Sequence, residues 1–138
     1  MDPALLTESG GTDFLSRGEA ALRELAKKDL VYVHARMPED VAQGADPKAR
    51  LKVVEEFDRK IVGTILDGLQ KLGPYRVVLL CEASAVRNQA AAPAALYAFS
   101  EGPAKKAAAP GRGFNEAEAA KAGTREATRL IARLFPRS

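Results

Sequence analysis

Two short stretches of this chain hold most of the side chains able to do chemistry. The first is His34-Ala35-Arg36-Met37-Pro38-Glu39-Asp40-Val41-Ala42-Gln43-Gly44-Ala45-Asp46, which follows one apolar run and precedes a long helical pattern. The second is Cys81-Glu82-Ala83-Ser84-Ala85-Val86-Arg87-Asn88-Gln89, directly after another apolar run. Both fall at the carboxyl ends of expected strands, where an open α/β sheet keeps its working residues. The donors on offer are His34, Glu39, Gln43, Glu82 and Gln89. If Glu39 and Glu82 met in one pocket they would attract a cation; the plainer reading is two solvated loop carboxylates. Gln43 and Gln89 present only neutral carbonyl oxygens, which are weak ligands for transition metals. His34 is the single histidine, and its plainer role is a hydrogen-bonded ring at a strand end. Cys81 has no Cys–His pairing to activate it as a nucleophile, so a buried, inert thiol is expected. Lys105, Lys106 and Arg112 stand near Gly111 and Gly113, but not at the spacing of a phosphate loop; they read as a solvated tether.

The elements around these residues follow from pattern. Asp46-Pro47 is a strong helix start, an N-cap acid before proline. Leu51, Val54, Asp58, Ile61, Ile65 and Leu69 then recur at helical spacing, with Asp58 the one polar intruder, until Gly73-Pro74 stops the helix. Leu30 to Ala35 is a short β-branched and aromatic run, a strand by composition. Arg76 to Cys81 contains four consecutive aliphatics, as in a strand buried on both faces. Strand, long helix, strand predicts a βαβ unit with those two strands parallel and adjacent. Ala94 to Phe99 adds a third candidate strand. Ser16 and Glu19 have capping-box spacing and place a helix start near Arg17; Asn115 with Glu118 marks another, cut short by Gly123. Thr124 is placed to cap a last helix whose apolar stripe is Ala127, Leu130, Ile131 and Leu134. Residues 1–12 read as a flexible arm and 100–113 as a flexible loop.

Bulk properties set the class. The 138 residues suit one domain with a core and are short for two. Hydrophobic residues make up 46% and charged residues 28%. The net charge of +3, from 21 basic and 18 acidic residues, is interspersed rather than gathered on one stripe. With three Tyr, five Phe and no Trp there is little to build a base-stacking platform. Nucleic acid is therefore not an expected partner; only the basic pI of about 9.1 speaks for it. One Cys excludes an internal disulfide and a cysteine zinc cluster. No apolar run approaches the ~20 residues of a membrane span, and no signal-peptide pattern opens the chain. A cytoplasmic protein is expected.

Several segments, in one order, resemble a known family. Glu19-Ala20-Ala21-Leu22, Asp29-Leu30-Val31-Tyr32-Val33-His34 and the loop ending in Asp46 are similar to the carboxyl-terminal part of the archaeal-type cofactor-independent phosphoglycerate mutases, metalloenzymes of the alkaline phosphatase superfamily. Lys52 to Gly63, Tyr75 to Leu80 and Phe114 to Ala119 continue the resemblance. It implies an α/β fold: a small three-layer-like domain over residues 1–138, a mostly parallel sheet with a long crossover helix, an alkaline-phosphatase-like fragment. In that family the first loop reads Asp-Glu-Ala-Gly-His and its Asp and His bind two divalent metals; here Glu39 stands for the Asp and Gln43 for the His. The second family loop begins Asp-His; here it is Glu82-Ala83. A further family His falls near Gln89. The nucleophilic Ser or Thr and another metal-binding Asp of the family belong to sequence upstream of the part matched here.

A dinuclear site activates a nucleophile and clamps phosphoryl oxygens between its ions. Two glutamates and two amides are a poor substitute for its imidazoles and aspartates. The expectation is thus no metal site, no cofactor and no enzyme activity. The chain reads as a degenerate mutase-like domain serving as a protein-binding or assembly module, either as a homo-oligomer or with a protein partner. The alternative is one part of a split mutase or phosphatase completed by another chain, or a binder of a small phosphorylated ligand.

Overall fold

The computed structural model describes residues 2–6, 13–82, 95–103 and 113–135. The chain divides into two compact units, Met1–Gly73 and Pro74–Ser138. Both mix helices with strands, so the protein is α/β.

The first unit is a βαβ unit followed by a short helix and a long helical rod. β1 (Pro3–Leu6) and β2 (Leu30–Val33) pair in parallel, Leu5 opposite Tyr32, with α1 (Phe14–Leu25) as the crossover. The ladder is extended by the His34 amide donating to the Leu6 carbonyl at 3.0 Å. At the other end the Asp2 amide donates to Asp29 Oδ2 at 2.8 Å, and Lys28 Nζ donates to Asp2 Oδ2 at 2.7 Å. That hydrogen bond raises the Lys28 pKa above its ordinary value. Residues 3–6 are thus a strand and not part of a mobile arm. Three apolar residues after a proline were too few to signal one, and the partner that completes it lies far along the chain.

α1 starts earlier than the Ser16–Glu19 spacing implies. Its N-cap is Asp13, whose carboxylate accepts from the Ser16 amide at 3.1 Å and the Ser16 hydroxyl at 2.6 Å. These bonds favour the charged form and lower the Asp13 pKa. The cap allows Phe14 to enter the helix, where it is 2% exposed and meets Phe57 edge-on with centroids 6.2 Å apart.

β2 leads through a loop to the short α2 (Glu39–Gln43) and then to a long helical rod. The rod comprises α3 (Pro47–Phe57), a π-helical segment (Asp58–Gly63) and α4 (Thr64–Leu69). Asp46 caps it as expected, accepting from the Lys48 amide at 2.9 Å. The π segment breaks the single apolar face read from the sequence. A wider turn inserts a residue and rotates the downstream face by one residue step, ~100°. Ile61, within it, and Leu69, beyond it, are buried on the side that packs on α1, while Leu51 and Val54, before it, are 59% and 53% exposed. Gly18 makes the crossing with α1 possible: a Cβ there would stand 2.7 Å from the Lys60 carbonyl oxygen. The rod ends at Gly73, whose φ of +99° is open to glycine and strained for other residues.

The second unit is built on β3 (Tyr75–Glu82) and β4 (Ala95–Gly102), an antiparallel pair in register from Tyr75 opposite Gly102 to Glu82 opposite Ala95. Gly102 is buried under the Tyr75 ring, where any Cβ would collide with it. α5 (Glu116–Ala122) starts at Asn115, whose side chain accepts from the Glu118 amide at 3.0 Å, and stops at Gly123. α6 (Ala127–Leu134) follows; Glu126, not Thr124, occupies its N-cap position. α6 packs on β3, and Arg133 lies over the Phe99 ring of β4 at 4.1 Å.

The strand pairing differs from the sequence expectation. Among the described residues β2 is bonded to β1 and β3 to β4, in two separate two-stranded sheets. The expected neighbourhood of Leu30–Ala35 and Arg76–Cys81 in one mostly parallel sheet is not among the pairings of the described residues. The crossover rule governs how two strands join one sheet; it does not decide that they join. Cys81, expected to be buried, is exposed. β4 extends into the segment read as a loop, to Gly102. Among the described residues no helix is long and apolar enough to cross a membrane.

Candidate functional site

The first loop is assembled by backbone needs. β2 ends at Val33, and His34 continues its ladder while its ring stacks on Tyr32, centroids 6.4 Å apart and planes at 21°. Pro38 at the N-cap position has an extended ψ of 139° and starts α2. α2 is a single turn, so its last carbonyls lack intrahelical donors. Arg50 of α3 supplies them. Its Nη2 donates to the carbonyls of Ala42 and Gly44 at 2.9 and 2.7 Å, and its Nε to that of Val41 at 3.4 Å. A cation at a helix C-terminus also complements the local dipole. No motif pointed to Arg50; its signal in the sequence is only that it sits one helical turn after the Asp46 cap.

Held this way, Glu39 and Gln43 lie one turn apart on α2, and Gln43 Nε2 donates to Glu39 Oε1 at 2.8 Å. Both side chains are exposed, and His34 is half-buried. Glu82 is the last residue of β3, in the second unit. Gln89 lies outside the described residues, as do the Lys105, Lys106 and Arg112 of the tether. The structure therefore joins two of the five candidates directly, Glu39 and Gln43, and keeps His34 in the same loop.

This donor set does not fit a dinuclear metal centre. Such a centre needs several imidazoles and carboxylates converging on two ions. Here the Glu39 carboxylate accepts from the Gln43 amide. Among the described residues no group of three or more His, Cys, Asp or Glu side chains is arranged to hold a metal.

Comparison with known proteins finds relatives for about half of the chain. The chain is 36% identical over 67 residues, 49% of its length, to a probable 2,3-bisphosphoglycerate-independent phosphoglycerate mutase of Geobacter sulfurreducens, of which this covers 17%. It is 36% identical over 70 residues to the 2,3-bisphosphoglycerate-independent phosphoglycerate mutase of Methanothrix thermoacetophila, covering 50% of this chain and 18% of that one. The corresponding enzyme of Methanosarcina mazei is 31% identical over 70 residues, with the same shares. About half of the chain is thus similar to a fragment of the cofactor-independent phosphoglycerate mutases, and it spans less than a fifth of the length of these curated relatives. No family model matches the chain, and no solved structure matches it.

Proposed function

We propose that the chain is a non-catalytic relative of the phosphoglycerate mutases, a fragment of their metalloenzyme fold that serves as a protein-binding or assembly module. The observation that carries this reading is the hydrogen bond from Gln43 to Glu39 at 2.8 Å. In the resemblance these are two metal-ligand positions. In this chain they satisfy one another: the carboxylate accepts from a neutral amide, and the amide turns its donor, not its weak oxygen, toward the acid. A loop once organised by ions is organised instead by this bond and by Arg50. The similarity over the surrounding elements persists while the chemistry at the ligand positions changes. That pattern favours a retained surface over a retained reaction.

Calorimetric titration with Mn²⁺ and with Zn²⁺, followed by a phosphoglycerate mutase assay of the metal-loaded protein, tests the reading. No tight binding and no turnover are expected. Two ions bound per chain, abolished by Glu39→Ala, would overturn it. A second reading, one part of an enzyme completed by another chain, draws on the small share of each relative that the similarity covers. It predicts metal-dependent activity only when a second, mutase-like polypeptide is added.

A further inference from the structure

α3 carries a stripe and a charge order that its own helix does not explain. Pro47, Leu51, Val54 and Asp58 recur at steps of four, three and four, the spacing of one seam along a helix. Its two aliphatics are the pair that the π segment turns outward: Leu51 is 59% exposed and Val54 53%. The charges beside the seam are segregated. Lys48, Arg50 and Lys52 stand in the first half of α3, and Glu55, Glu56 and Asp58 follow. The first turn of α3 holds no acid and its last turn no base, the reverse of what the helix dipole favours. Two of these charges are used within the chain. Arg50 donates to the carbonyls of Ala42 and Gly44, and Glu56 accepts from Lys60 at 3.4 Å. Lys48 and Glu55, which flank the seam on one side, are both exposed. Charges in this order gain nothing from their own helix, but they complement the same helix run in the opposite direction.

We propose that two copies of this chain associate through their α3 helices, packed antiparallel about a two-fold axis midway between Leu51 and Val54. This rests on the reading of the chain as an assembly module and names its partner. A two-fold contact is self-complementary, so every pairing in it occurs twice. Leu51 of each copy packs on Val54 of the other. Lys48 lies one turn before Leu51, and Glu55 directly follows Val54. Both sit on the flank where same-side residues of antiparallel helices meet, and such flanking charges set orientation and partner choice. Lys48 of each copy therefore faces Glu55 of the other. Asp58, the polar intruder on the seam, falls opposite Pro47 of the second copy, beside the positive end of that helix dipole. A parallel pair would instead bring Glu55 to Arg50, whose donors the carbonyls of α2 already hold, and would give Lys48 no acid. Charge complementarity thus selects a second copy, in one orientation. The eleven residues of α3 span about 16 Å. A contact of that length covers less than the ~800 Å² per partner of a standard interface, so a concentration-dependent equilibrium is expected.

The test uses the full chain. Sedimentation equilibrium from ~1 µM to ~1 mM should show a monomer–dimer equilibrium, as suits an interface below standard size. Leu51→Lys, at an exposed position, should abolish it and leave the far-ultraviolet circular dichroism spectrum unchanged. Lys48→Glu and Glu55→Lys each set like charges opposite one another twice per dimer, and each should weaken self-association by about tenfold. Mixed in equal amounts, K48E and E55K should associate as tightly as the natural chain, because every facing pair is then of opposite sign. The double variant K48E/E55K should recover in the same way. A natural chain monomeric throughout the range, as when its own second unit covers the seam, would overturn the proposal. Association that survives L51K, or a mixture no tighter than its two components, would overturn it as well. Metal binding or mutase turnover would instead refute the non-catalytic reading, and neither result depends on the charge exchange.

Discussion

Replacing Gly18 and Gly63 by alanine, one at a time, separates helix propensity from tertiary packing. Both glycines lie within helical segments of the first unit. In the absence of neighbours each change should stabilise by about 1 kcal/mol, because alanine loses less backbone freedom on folding. The surroundings differ. At Gly63 the nearest atom to a new Cβ is the Asp58 carbonyl oxygen at 3.5 Å, an ordinary contact. At Gly18 it meets the Lys60 carbonyl oxygen at 2.7 Å and Thr64 Cβ at 3.0 Å. A backbone carbonyl cannot swing aside, so α1 must move off the rod, at a cost of about 1–3 kcal/mol for overpacking. The propensity gain is common to both variants and cancels in their difference. G63A should thus be more stable than G18A by about 1–3 kcal/mol, and G63A should match or exceed the natural chain. Urea unfolding followed by far-ultraviolet circular dichroism reads this directly. With a slope of about 1–3 kcal/mol per molar urea, the two midpoints should separate by roughly 1 M. Midpoints that move together, or G18A the more stable of the two, would show that α1 does not pack on the π segment as described.

Phe14→Ala removes a ring that is 2% exposed and braced on Phe57; a loss of about 3–5 kcal/mol is expected in the same unfolding experiment. Arg50→Ala removes the donors to the carbonyls of Val41, Ala42 and Gly44. Hydrogen exchange by mass spectrometry should then accelerate over residues 38–46, while the overall urea midpoint changes little, since these bonds are exposed. Asp13→Ala should destabilise α1 near neutral pH. The folded pKa of Asp13 is lowered, so its contribution is present above the ordinary aspartate range and disappears as pH falls through the lowered value. The natural chain and D13A should therefore converge in stability on acidification, whereas Asp13→Asn should retain the cap at every pH.

Local chemistry determined a good deal of this protein from residue order alone. Asp46-Pro47 and Asn115 start helices because each provides an N-cap acceptor for an otherwise unpartnered amide, within three residues of itself. Gly73 and Gly123 stop segments because their positive φ costs glycine little. The strands at Leu30, Tyr75 and Ala95 were legible as β-branched, aliphatic and aromatic runs. So was the resemblance to the mutases. What remained hidden depended on distant partners. β1 exists because Leu30–Val33 is there to pair with it. The π segment set Leu51 and Val54 outside the buried face, a rotation that helical spacing cannot register. The choice of strand neighbours, β1 for β2 and β4 for β3, was decided by tertiary structure, because an extended run carries no mark of which backbone will satisfy its hydrogen bonds. The same is true of the candidate site. Residue types gave only the expectation that these donors would not hold a pair of ions. Only the folded loop, with Arg50 tying down the end of α2, brought the Gln43 amide onto the Glu39 carboxylate.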